Sequence, residues 1–238
     1  MQRGKHPSEK ITEWLRPEWR AYESVFDYNN NVFRILGGLA DCLILGALWI
    51  VCSIPVVTMG AATAAVYHAV NKSIVHGQGY AFREYCTALK TDLKQTTGAW
   101  LLWGILAAFL AADLVVTRQF LAQGSALGAL YYFFIVLSAM ALAWEFYLTA
   151  YMARFEGTIR ESMKKTLVMV VANLGWSALL VAVFVLFVLM CNDTQCLIVL
   201  FPGVFALVKN YVLEKVFRKY RTPEDLAREL EMTREYRN

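Results

Sequence analysis

Histidine is almost missing from this chain. His6, His68 and His76 are the only three, too few for a histidine-rich metal centre. The five cysteines offer no zinc site: Cys42, Cys52 and Cys86 stand singly, and Cys191 and Cys196 have no companions. There is no Gly-x4-Gly-Lys-Ser/Thr phosphate loop, no His-Glu-x2-His and no Gly-x-Ser-x-Gly. No nucleophile–base pair has a recognisable spacing either, so the expectation is a protein without catalysis and without a cofactor. Charge is scarce too, at 18% of residues against 58% apolar ones. Outside the apolar runs too little chain remains for a soluble domain of ordinary size, about 50 residues or more.

What the chain does have is six apolar stretches, at residues 35–54, 56–74, 97–117, 127–152, 167–190 and 197–213. Each is close to the ~17–25 residues a helix needs to cross a bilayer. A barrel would show short alternating strands, and these runs are too long and too uniformly apolar for that. The expected fold is therefore an all-α membrane bundle of six transmembrane helices in three hairpins. It divides into an arm over 1–34, the transmembrane domain over 35–213 and a basic tail helix over 214–238.

Of the 23 basic residues, all but Arg118 fall on alternate ends of the stretches. They occupy the arm, the link with Lys72, Arg83, Lys90 and Lys94, the link with Arg154, Arg160, Lys164 and Lys165, and the tail from Lys209 onward. Basic residues accumulate on the cytoplasmic side of short loops, which puts both termini inside. The basic inner face favours anionic lipid headgroups, and the topology accounts for it without a nucleic-acid partner. The first apolar run follows a charged arm and reads as a signal anchor, not a cleaved signal. Cys191 and Cys196 flank the outer loop Asn192-Asp193-Thr194-Gln195, where a disulfide and two free thiols both remain open.

Amphipathic helices are expected around the spans. In the arm, Leu15, Trp19, Tyr22 and Phe26 share a face. In the first inner link the stripe is Phe82, Tyr85, Cys86, Leu89 and Leu93, and in the second Phe155, Ile159 and Met163. Thr222, Pro223, Glu224 and Asp225 form a helix start in the tail. Such helices either brace the bundle at the membrane surface or dock a partner.

The first hairpin carries the sharpest local signature. Pro55 ends the first helix, Thr58 is placed to cap the second, and Gly60 with Ala64 puts small residues on one face. A plain tight hairpin is expected; a re-entrant helix is the alternative. The run Leu48-Trp49-Ile50-Val51-Cys52-Ser53-Ile54-Pro55-Val56-Val57-Thr58-Met59-Gly60 resembles the YesL-like family of bacterial membrane proteins (domain of unknown function 624). Asp41, Tyr67, Lys72, Gly79-Tyr80, Leu93-Lys94-Gln95, Ala153-Arg154-Phe155 and Lys215 to Tyr220 continue the similarity, which covers most of residues 33–220. Gly46 and Asp92 depart from it, since asparagine is common at those positions. The resemblance implies a multi-pass protein of the bacterial cell membrane, of Gram-positive type. Members are often encoded beside carbohydrate ABC-transporter components and their regulators. It implies no activity, cofactor or catalytic residue.

Polar residues at membrane depth are the physical lead to a site. Counting from the inner ends, Asp41, Glu145 and Asn173 lie roughly 10–13 Å into their helices. His68 and Lys209 occupy the inner halves of the second and sixth runs. A lone charge in hydrocarbon costs at least ~2.5 kcal/mol, so such groups face the interior and pair. The five form one candidate layer, either a structural lock or a site for a polar solute or protons. Trp100, Trp103, Trp144 and Trp176 read as packing or lipid-facing groups rather than a sugar platform. Two functional readings follow. The first is an accessory or regulatory protein of carbohydrate uptake, in contact with a sugar permease or sensor kinase. The second is a small secondary transporter or channel that uses the polar layer.

Overall fold

The computed structural model describes residues 31–77, 79–155, 157–194 and 197–220. Among these residues the chain is all helical, with seven α-helices and no strand. They are α1 (Asn31–Ser53), α2 (Met59–Ala69), α3 (Ala81–Ala122), α4 (Leu130–Met152), α5 (Ile159–Ala172), α6 (Leu174–Asp193) and α7 (Leu197–Phe217). Short 3-10 turns precede α2 and α4, and a π-helical turn over Val70–Val75 follows α2. The chain divides into two compact units, residues 1–40 and 41–238. The first is described only over residues 31–40, which are helical. The expected arm helix, the tail helix start at Thr222 and the Cys191–Cys196 pair lie partly or wholly outside the described residues.

Five helices are long and apolar enough to cross a membrane: α1 from Leu36, α3, α4 with its preceding turn, α6 and α7. The second apolar run is not among them. There Pro55 closes α1, a 3-10 turn takes up Val56–Thr58, and regular α-helix lasts only 11 residues before the π turn. Two further boundaries differ from those read in the sequence. The first inner link and the third run fuse into one 42-residue helix, α3, because no proline interrupts them and Gly98 and Gly104 are tolerated within it. The fifth run breaks at Asn173, whose φ of −127° and ψ of 48° leave the helical region. Its side-chain amide donates to Met169 O at 3.0 Å, competing with the backbone for that carbonyl.

Within residues 41–238, α7 is the central helix. In its most apolar window 44% of residues are buried, against 11–17% in the other four long helices. It is reached by close backbone packing at α1. A Cβ added at Gly46 would stand 1.6 Å from Val199 O, and one at Gly203 2.7 Å from Cys42 Cα. Pro202 lies in the same stretch of α7. At position 46 only glycine fits against α7. On its other side α7 joins an aromatic core in which Phe205 meets Phe146 at 5.0 Å and Phe201 at 5.6 Å between ring centroids.

The inner-link stripes pack unequally. Tyr85 is fully buried beside Ala69, Val70 and Ala88, whereas Phe82 stays 56% exposed. In the second link Ile159 and Met163 pack against Ala99, Leu148 and Met152. Thr158 caps α5 there by accepting from Glu161 N–H at 3.4 Å.

Candidate polar core and inner network

The first hairpin holds itself by returning hydrogen bonds to the helix it leaves. Thr58 makes no side-chain cap to α2; its hydroxyl donates instead to Cys52 O at 2.6 Å and Pro55 O at 2.9 Å. Those carbonyls lie at the end of α1, where a helix lacks internal donors. Gly60 then lets α2 approach α3, since a Cβ there would lie 2.4 Å from Trp100 Cβ. Trp100 Nε1 closes the corner by donating to Val56 O at 3.0 Å. Trp49 donates to Thr63 Oγ1, Trp103 to Ala141 O and Trp144 to Thr166 Oγ1. Each indole therefore pins one helix to another while its ring packs.

The polar groups expected in one layer separate into distinct settings. Glu145 of α4 is 6% exposed and Lys209 of α7 is 1% exposed. The Lys209 ammonium donates to Thr149 Oγ1 at 2.5 Å, and that hydroxyl in turn donates to Glu145 O, its own helix, at 3.0 Å. The rings of Tyr67 and Phe146 flank the ammonium at 5.4 and 5.7 Å, in range for cation–π attraction. Glu145 and Lys209 attract each other electrostatically within the same core. Three elements thus meet around one buried cation: Tyr67 from α2, Glu145, Phe146 and Thr149 from α4, and Lys209 from α7.

The remaining three residues lie elsewhere. His68 Nδ1 meets Ala153 O at 3.1 Å, and its Nε2 stands 3.9 Å from Glu84. Asn173 sits at the α5–α6 break and donates to Tyr220 Oη at 3.2 Å as well as to Met169 O. Asp41 is half-buried on α1, with no hydrogen bond or ion pair among the described residues.

A second polar group, not anticipated from the sequence, gathers at the π turn. Asn71 Oδ1 accepts from Asn210 Nδ2 at 2.9 Å and from Arg154 at 3.4 Å. Arg154, with its side chain 8% exposed, pairs with Glu214 at 2.6 Å. Next to them Lys72 pairs with Glu84 at 2.8 Å. The widened turn over Val70–Val75 presents Asn71 to α4 and α7 and Lys72 to α3; π-helical turns often mark functional positions. The signal in the sequence was an asparagine inside an apolar run at both 71 and 210, but spacing alone does not say that they face each other.

The hairpin and the helices packed on it also carry the family signature. Residues 42–114 match the DUF624 family. The description of that family is a protein of unknown function. The DUF624 segment takes in α1 from Cys42, the Pro55–Gly60 turn, α2 and α3 as far as Leu114, so the resemblance read at the hairpin is shown there. Glu145 and Lys209 lie beyond it. No curated protein and no solved structure matches the chain.

Proposed function

We propose that this chain is an accessory protein of the bacterial cell membrane, with both termini cytoplasmic, that acts by contact rather than by catalysis in carbohydrate uptake. This reading counts the short second run, α2 with its flanking turns, as a sixth crossing; the apolar helices would then lie against the spans of a sugar permease or sensor kinase, and the basic inner helices against a cytoplasmic partner. The carbohydrate link rests on the family resemblance. The contact mechanism is supported by one observation in particular: the buried cations are satisfied inside the chain. Lys209 bonds to Thr149 and Arg154 to Glu214 and Asn71, while apolar side chains such as Ile105, Phe109 and Tyr132 face outward. Such an interior serves as a brace, and the outward face is left for lipid and neighbouring helices.

The test is purification from native membranes in mild detergent through a tag on the tail, beside an unrelated multi-pass protein as control. Stoichiometric recovery of a sugar permease or sensor kinase is the expected result. Isolation of the chain alone, as a stable single species, would overturn the contact reading.

A further inference from the structure

The start of α6 and the end of α7 form one corner, where the Lys215 ammonium lies over two rings. Trp176 of α6 is 5.1 Å from it and Tyr211 of α7 4.5 Å, measured to the ring centroids. The rings hold the cation in place, yet it has no hydrogen-bond acceptor and no carboxylate partner among the described residues. Glu214, the neighbouring carboxylate, is taken by buried Arg154 and reached also by Arg218. Exposed Lys219 adds a further cation, so residues 215–220 carry three positive charges and no negative one. Asn173, at the break before α6, ties the corner by donating to Tyr220 Oη at 3.2 Å. Space is open there, since a Cβ added at Gly175 would meet nothing within 4 Å. Leu174 and Leu179 of α6 and Tyr211 of α7 are exposed apolar groups on the same two helices.

We propose that this corner docks one anionic phospholipid, its phosphate on the Lys215 ammonium and its chains along the exposed apolar face of α6. Charge complementarity names the occupant: a cluster of cations whose one neighbouring carboxylate is already engaged calls for an anion. Tryptophan and tyrosine beside that cation are the side chains that settle at headgroup level. A free anion would meet the cation alone, whereas a lipid also covers Leu174 and Leu179. An ammonium already clamped between rings loses little side-chain freedom on binding. Lys90 and Lys94 of α3 are exposed too, but have no ring beside them among the described residues. The inference needs no protein partner and holds for either orientation of the chain, so it stands apart from the contact reading.

The experiment titrates the full chain, purified in delipidating detergent, with phosphatidylglycerol while native mass spectrometry counts bound lipid. One phosphatidylglycerol retained in preference to phosphatidylcholine is the expected result. Lys215→Gln should weaken retention about fivefold, the weight of one lysine near an anionic headgroup. Lys94→Gln should leave it unchanged, and Lys215→Arg, which keeps a cation over both rings, should retain the lipid. Tyr211→Ala, at an exposed position, is the second variant and should also weaken retention. Unchanged retention in Lys215→Gln and Tyr211→Ala would overturn the proposal. So would equal losses in Lys215→Gln and Lys94→Gln, the mark of a diffuse basic surface, or equal binding of phosphatidylcholine. Displacement of the lipid by inorganic phosphate would overturn it in favour of a free-anion site. Recovery of a partner protein is read separately and bears on none of these outcomes.

Discussion

The Lys209 ammonium donates to the Thr149 hydroxyl at 2.5 Å, so the bond that fixes the most buried cation goes to a neutral threonine. Glu145, four residues earlier on the same helix, is not the group that accepts this bond. Thr149→Val removes the acceptor while keeping the shape. The expected loss is about 1–3 kcal/mol, the cost of leaving a buried donor unsatisfied. Thermal unfolding in detergent, followed by loss of the monodisperse peak, measures it; a melting curve like that of wild type would contradict this role for Thr149.

At the inner network, burial separates two arginines that share one carboxylate. Arg154→Ala leaves Glu214 without its buried partner and is expected to destabilise by about 3 kcal/mol or more. Arg218, whose side chain is 73% exposed, also reaches Glu214, at 3.4 Å. Its replacement by alanine should change stability by no more than about 0.5 kcal/mol, as for exposed pairs four apart on a helix. Equal effects of the two substitutions would show that the network does not brace these helix ends.

Gly46→Ala should prevent α1 from seating on α7, because the new methyl would collide with Val199 O. Backbone on both sides must shift, and such overpacking costs about 2 kcal/mol. Gly104→Ala is the control, with nothing within 4 Å of its added Cβ. There helix propensity alone acts, and a gain of up to about 1 kcal/mol is expected. Paired melts of the two variants decide the matter.

Topology is open to a labelling test. In a cysteine-free background, Ser125→Cys between α3 and α4 should react with an impermeant maleimide in intact cells. Gly157→Cys between α4 and α5 should react only after permeabilisation. The reverse pattern would invert the orientation drawn from the basic residues.

Much of the architecture was visible in the sequence because lipid imposes it. Long apolar runs gave α3, α4, α6 and α7 their approximate places, and the Pro55–Gly60 turn its sharp reversal. The breaks were harder to see. Asn173 looks like one polar residue in a span until its amide takes the Met169 carbonyl, and Asn71 looks like another until the π turn brings it to Asn210. Depth counting placed five polar groups at a common height, yet height says nothing of angle around the bundle. Glu145 and Lys209 share one core; His68 and Asn173 bond to other neighbours, and Asp41 has no hydrogen bond or ion pair among the described residues. Thr149 escaped notice because a threonine in an apolar helix ordinarily bonds its own backbone, and here it does so while also accepting from Lys209.

α3 exceeds what one crossing needs. Its 42 residues make a rod of about 63 Å, roughly twice the hydrocarbon thickness of a bilayer. The hairpin seated at Trp100 meets it near its middle. A helix longer than the hydrocarbon is thick must carry part of its length beyond it, and the end with Arg83 and Lys90 is the charged part.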